Sequence, residues 1–205
     1  MTDNPRNLDN TLGDDALVRA TLAGNREAFG TLVERHQHRL HHTLKCVLGS
    51  PDDASEVLQD ALVQAYTKLS TFRGSSQFYT WLYRIALNLA SSHQRRHRRR
   101  SRDRSVDELK MNTALEPVDP RELPDQELVR MERARIVHAA LLQLNEEHRQ
   151  ILVLREMEDC PYESIAEILN LPVGTVRSRI FRARLALKQI LDELLTNNPE
   201  RTVGL

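Results

Sequence analysis

Apolar residues recur every three to four positions through most of this chain, and that spacing constrains its fold more than any other feature. Phe29, Leu32, Val33, Leu40, Leu44 and Val47 make one stripe, closed and restarted by Gly49 and Pro51. Val57, Leu58, Ala61, Leu62, Ala65 and Leu69 make a second. Phe72-Arg73-Gly74-Ser75-Ser76 interrupts it, and Phe78, Trp81, Leu82, Ile85 and Leu89 make a third. A strand would bury every second residue, so this period excludes a sheet and predicts three long amphipathic helices. A shorter helix, from about Asp14 to Ala23, leads into them, and the four pack as a bundle around one seam. Composition agrees: only 4% of residues are aromatic, and Gly and Pro are few.

The period fades between Ser101 and Asp125, where Pro117, Pro120 and Pro124 punctuate an acidic stretch that buries little apolar surface. It resumes at Leu128 and runs to about Leu195, with breaks near Asn145, at Cys160-Pro161 and at Asn170-Leu171-Pro172. The expected fold is therefore all-α: two small helical domains, residues 14–100 and 126–196, joined by an acidic linker over 101–125. Cys46 and Cys160 are too few for a disulfide framework or a four-cysteine zinc module, and they fit a reducing compartment. No apolar run approaches the roughly 18 residues of a membrane span, and the polar stretch Met1 to Asn10 does not read as a signal peptide. A soluble intracellular protein is expected. With 29 basic and 29 acidic residues, net charge is zero, so partner preference must lie in local patterns.

The clearest local pattern is near the C-terminal end. Tyr162 to Leu169 reads as a short helix, Asn170-Leu171-Pro172 as a tight turn, and Val173 onward as a long helix. That is the helix-turn-helix order that lays a second helix in the DNA major groove. At about 100° per residue, Val176, Ile180, Ala183 and Leu187 share the core arc. Arg177, Ser178, Phe181 and Arg182 fall on the other side. A phenylalanine about 140° from the core centre has no packing reason to be there, whereas a thymine methyl or sugar edge would receive it. Arg177 and Arg182 can reach guanine edges or phosphates; Arg179, Arg184 and Lys188 sit to the flanks, where phosphate contact is the expected role. The plainer alternative is a solvated basic helix.

In the first domain Asp53, Glu56 and Asp60 share one helix face by i, i+3 and i+7 spacing, with Asp52 and Gln59 beside them. Early acids also complement a helix N-terminus, so helix stabilisation competes with a docking role for a basic partner. The strip from Phe72 to Trp81 sets three aromatics beside a polar loop, and Asn88 and then a run of arginines from Arg95 follow. Rings beside a basic track suit single-stranded nucleic acid, through stacking and backbone neutralisation; Trp81 and Phe78 also fit the core. His38, His42 and Cys46 lie at i, i+4 and i+8, but the outer two stand about 12 Å apart along a helix, and zinc ligands converge at about 2.0–2.3 Å. No metal site and no cofactor are expected. No nucleophile–base pair, phosphate loop or HExxH pattern occurs, so the chain is not expected to be an enzyme. Cys160 follows Glu158 and Asp159, which would raise its thiol pKa and make it an inert rather than a redox-sensing thiol.

These stretches also carry a resemblance. FRGSSQFYTWLYRIALN (Phe72 to Asn88) and YESIAEILNLPVGTVRSRIFRARLAL (Tyr162 to Leu187) strongly resemble the extracytoplasmic-function (ECF) group of bacterial sigma-70-type sigma factors. DDASEVLQDALVQAY (Asp52 to Tyr66) resembles the segment with which that family grips RNA polymerase. The resemblance implies a promoter-specificity subunit with a sigma-2-like domain over 14–100, a linker over 101–125 and a sigma-4-like domain over 126–196. It implies core-polymerase docking through Asp53, Glu56, Gln59 and Asp60. Contact with the −10 element, including a flipped base, would fall to Ser75, Ser76, Gln77, Phe78, Tyr79 and Asn88. Contact with the −35 element would fall to Thr175, Arg177, Ser178, Phe181 and Arg182, with Arg155 added. Core RNA polymerase and promoter DNA are the implied partners, an anti-sigma factor a further one, and the bacterial cytoplasm the implied location, with any membrane tether indirect. Ser55, where the family commonly has an acid, Leu62, where it usually has Phe, and the heavy Arg95–Arg104 run depart from the pattern. A stand-alone helix-turn-helix regulator is the rival reading; it would leave the acidic face and the aromatic strip without a role, and no dimerisation segment is evident.

Overall fold

The computed structural model describes residues 12–103 and 125–196, and every regular element among them is helical. Four helices form the first half: α1 (Asp14–Leu22), α2 (Arg26–Leu48), α3 (Pro51–Thr67) and α4 (Phe78–Asp103). Four more form the second: α5 (Asp125–Gln143), α6 (Glu146–Leu152), α7 (Tyr162–Leu169) and α8 (Val173–Thr196), with a π-helical turn over Val153–Met157 between α6 and α7. The acidic linker expected between the halves lies largely outside the described residues.

Local chemistry sets the boundaries. The Asn25 side chain accepts from the backbone N–H of Glu27 and Ala28 to start α2. Ser50 accepts from Asp53 N–H to start α3, with Pro51 in the first turn, where its missing N–H costs nothing. Asn145 caps α6 by accepting from His148 N–H. Asn170 ends α7 in the left-handed region at φ 53°, a conformation asparagine tolerates better than most residues. The breaks at Gly49-Pro51, Asn145, Cys160-Pro161 and Asn170-Pro172 are thus all places where a helix stops or starts.

One apolar core runs through both halves. Leu32, Leu40, Leu44 and Val47 of α2 meet Ala54, Val57, Ala61 and Ala65 of α3 and Leu82, Ala86 and Ala90 of α4, all essentially buried. Alanines recur on the buried face of α3, which lets its backbone lie close to α2 and α4. In the second half Ile151, Leu152, Val153 and Leu154 form a buried run against Ile165, Val176, Ile180 and Ala183. Each large side chain so buried contributes about 1.5–3 kcal/mol by area.

The halves touch where α2 ends. Gly49 has φ 79°, and a Cβ there would lie 2.6 Å from Leu142 Cδ2 of α5. Gly49→Ala should therefore lower stability by about 1–2 kcal/mol, from left-handed strain and a displaced Leu142. Thermal denaturation checks this; an unchanged midpoint would mean that neither cost is real.

Candidate nucleic-acid interface and docking face

The acidic residues of α3 face outward. Glu56, Gln59 and Asp60 are exposed and Asp53 is half-buried, while Ala54, Val57 and Ala61 take the inward face. One turn and two turns along the same surface, Val63 is 68% and Tyr66 45% exposed, so the charged face continues into an apolar one. Tyr66 is held edge-on against Phe29, with ring centroids 5.0 Å apart. Ser55 points elsewhere: its hydroxyl donates to Pro51 O at 2.9 Å and lies 3.1 Å from His41 Nε2. It therefore takes a local role inside the bundle.

The aromatic strip divides into a buried part and an open part. Phe78 is only 2% exposed and stacks among Phe72, Trp81 and His36, at centroid distances of 5.8, 5.8 and 5.5 Å. The sequence placed Phe78 among base-contacting residues. In the folded chain its ring is part of the core, because α4 begins at Phe78 and turns it inward onto α2. Ser75 and Gln77 are exposed and Ser76 and Tyr79 half-buried. Gly74, Ser75, Ser76, Gln77 and, at its floor, Phe78 line a recess of about 530 Å³ against Gly13, Asp14 and Asp15 at the start of α1. Ser75 and Ser76 also border a cleft of about 740 Å³ whose far wall is α7 and its turn. Arg84, a residue the sequence reading passed over, lines this cleft too; the available signal was a basic residue on the polar side of the strip's own helix. Asn88 is exposed further along α4, in a separate recess with Ser91, Arg95 and Arg179.

The helix-turn-helix presents the face expected of it. Val176, Ile180 and Ala183 of α8 are buried, while Arg177, Ser178, Phe181 and Arg182 are exposed, Phe181 at 63%. Thr175 is half-buried at the start of the helix, and its carbonyl accepts from the Ser178 hydroxyl at 3.1 Å. The flanking arginines are occupied within the molecule: Arg179 reaches Glu147 at 3.1 Å and Arg184 reaches Glu156 at 2.6 Å. Arg155 donates to Cys160 O at 2.9 Å, lies 3.4 Å from Asp159 and stacks over Tyr162 at 5.3 Å. It would have to leave these partners to reach DNA. Cys160 itself is buried and pushed up to about 11, by burial first and by Glu158 and Asp159 after it, with Arg39 and Arg155 acting the other way. Its burial fits a packed thiol, and desolvation is the main cause of the rise.

A set of polar contacts that the sequence did not reveal joins the halves. The Glu158 side chain, 3% exposed, accepts from Arg39 Nε, from Thr43 Oγ1 at 2.6 Å and from Tyr83 OH at 3.3 Å. Arg39 Nη2 also donates to Glu158 O at 2.5 Å. At the end of α2, the buried Arg149 guanidinium donates to four carbonyls: Val47 O at 2.8 Å from the first half, and Leu141, Leu142 and Leu144 O from α5 and its end. Burial lowers the pKa of Arg149, the nearby Arg98 charge lowers it further, and Glu146 offsets part of this. Gln150 donates to Ser91 Oγ at 2.9 Å, and Tyr79 OH lies 3.4 Å from Ser164 Oγ of α7. In this arrangement Ser75 and Ser76 face the first helix of the helix-turn-helix across the cleft, and Tyr79 touches it directly.

Comparison with known proteins identifies this layout. Residues 32–100 match the family Sigma-70 region 2, and residues 134–187 match Sigma-70, region 4. The chain is 40% identical to the RNA polymerase sigma-H factor of Pseudomonas aeruginosa over 187 residues, covering 89% of this chain and 95% of that protein. It is 38% identical to the ECF RNA polymerase sigma-E factor of Haemophilus influenzae, over 90% of this chain and 98% of that one. The chain is an ECF sigma factor of the sigma-70 family. It directs transcription initiation as a non-enzymatic subunit that binds RNA polymerase and DNA. Among solved structures this sigma factor resembles CnrH in complex with the cytosolic domain of CnrY, at 29% identity and a TM-score of 0.63, covering 88% of this chain and 97% of that one. It shares its fold, at 24% identity and the same TM-score, with the sigma factor RpoE of Bartonella quintana, solved with the anti-sigma factor NepR and covering 80% of this chain and 96% of that one. None of the sigma factor's described helices is long and apolar enough to cross a membrane.

Proposed function

We propose that the two halves divide the sigma factor's work along the residues named above. Residues 14–100 act as the polymerase-docking and −10 unit, and residues 126–196 as the −35 unit. Asp53, Glu56, Gln59 and Asp60 dock on core polymerase, with Val63 and Tyr66 adding an apolar margin; their shared exposure on one face of α3 supports this. Ser75, Ser76, Gln77 and Tyr79 take the single-stranded −10 element. The recess between the loop and α1 offers room for one extruded base, and binding the unstacked form favours strand opening. Phe78, almost wholly buried, floors that recess, and Asn88 meets the strand further along α4. Arg177, Ser178, Phe181 and Arg182 read the −35 element in the major groove, with Thr175 at the helix start and Arg155 as an outlying contact.

The observation that carries this reading is Phe181: a large apolar ring left 63% exposed among arginines on the second helix of a helix-turn-helix. A solvated helix has no use for it. An anti-sigma factor is a proposed partner, on the strength of the related structures that contain one, and the proposed place of action is the bacterial cytoplasm. The docking half of the proposal is tested by Asp60→Arg. Co-elution with core polymerase should weaken by about tenfold or more, since a like charge is placed where the partner's cation belongs. Binding of the same variant to −35 duplex should stay at the wild-type level. Undiminished co-elution would make the acidic face a merely solvated one.

A further inference from the structure

We propose that Asp53, Glu56 and His93 form a binding site for a divalent transition-metal cation at the edge of the docking face. Asp53 and Glu56 stand one turn apart on α3, and His93 comes to them from α4, which packs alongside. The His93 Nε2 atom lies 3.7 Å from Asp53 Oδ1 and 3.8 Å from Glu56 Oε2, and all three ligand atoms lie within 4.8 Å of one another. Neither distance is a hydrogen bond. Ligands held about 2.0–2.2 Å from one cation stand roughly 3–3.5 Å apart, so the three need to close by about 1 Å. The chain permits that closure. Glu56 is 66% exposed and free to rotate, whereas the imidazole, only 14% exposed, is held by packing and supplies the fixed point.

The donor set narrows the occupant. One imidazole nitrogen and two carboxylate oxygens suit zinc, cobalt or manganese better than the all-oxygen shells that calcium and magnesium take. Water fills the remaining positions, because the site opens to solvent on the Glu56 side. The consequence rests on the docking role proposed above for Asp53 and Glu56. A bound cation neutralises both carboxylates and occupies the oxygens that would face the polymerase. Metal and core polymerase then compete for one surface, and the sigma factor becomes less available as free metal rises.

The test is an isothermal titration of zinc ion into the full chain carrying His38→Gln and His42→Gln, which removes the i, i+4 histidine pair on α2 as a rival site. One equivalent should bind, and adding His93→Gln or Asp53→Asn should each weaken it by at least about tenfold, with helical circular dichroism unchanged. Cobalt should give a visible absorption band that is lost with His93→Gln. Zinc binding that is absent, or indifferent to both substitutions, overturns the site. Competition is read by co-elution with core polymerase, with and without zinc, for the chain with and without His93→Gln. Zinc should weaken co-elution only when His93 is present; equal weakening in both would place the effect on the polymerase and overturn the competition. Failure of the metal-free wild-type chain to bind core would count against the docking face, while the titration would still decide the site.

Discussion

Replacing Glu158 by alanine should cost about 2–3 kcal/mol of stability and loosen the contact between the two halves. The carboxylate is 3% exposed and receives the Thr43 and Tyr83 hydroxyls as well as Arg39. Stranding buried donors costs about 1–3 kcal/mol, and a fully buried ion pair broken on one side costs about 3–5 kcal/mol. The figure stays in the first of these ranges because Arg39 is 56% exposed and water can take over its charge. Two readouts distinguish the local effect from the global one. Urea denaturation reports the stability lost, and small-angle X-ray scattering reports the radius of gyration, which should rise as α7 moves off α4. Glu158→Gln, which keeps the shape and one acceptor, should fall between wild type and alanine. If the alanine variant melts and scatters as wild type, the contact does not hold the halves together. Opening also bears on the proposed function: Tyr79 OH lies 3.4 Å from Ser164 Oγ of α7, so a −10 strand placed over this loop as proposed would require α7 to withdraw.

Phe181→Ala and Arg177→Ala should each weaken binding to a −35 duplex by about 1–3 kcal/mol, roughly five- to 150-fold in Kd. Both side chains are exposed and support no core contact that truncation would disturb, so stability should hold while affinity falls. The discriminating comparison is with scrambled duplex. Loss confined to the −35 sequence marks base reading; equal loss on both duplexes would reduce the residues to phosphate contacts and defeat the assignment. The two should also differ in salt dependence. Removing Arg177 flattens the slope of affinity against salt if it lies on a phosphate, whereas removing the uncharged Phe181 leaves the slope unchanged.

Part of this site is legible in the amino-acid sequence. The face of α8 followed from period alone: once Val176, Ile180 and Ala183 point inward, a 3.6-residue repeat forces Arg177, Phe181 and Arg182 outward. The acidic face of α3 followed in the same way from the i, i+3 and i+7 positions of Asp53, Glu56 and Asp60. Phe78 shows the limit of that reasoning. Its stripe membership with Trp81 and Leu82 suggests core and its place beside a polar loop suggests a base contact, and in the fold it packs on Phe72, Trp81 and His36 while also bordering the loop recess. The flanking arginines show another limit. Arg179 and Arg184 look like phosphate ligands on a helical wheel, yet each has an acid waiting on a neighbouring element, Glu147 and Glu156.

What the amino-acid sequence determined by itself is everything that a single helix can enforce. Period sets which face is buried, Asn25, Ser50, Asn145 and Asn170 set where helices begin and end, and the short-turn-long order of Tyr162 to Leu187 sets the helix-turn-helix. What only the tertiary structure decided is every relation between helices distant in the chain: Glu158 beneath Arg39, Thr43 and Tyr83; Arg149 against Val47 O; His93 beside Asp53 and Glu56. The physical reason is that local periodicity carries no information about which apolar faces meet. A buried carboxylate or guanidinium is recognisable only by the partners that satisfy it, and here Arg39, Thr43 and Tyr83 for Glu158, and Val47 O for Arg149, come from the other half of the molecule.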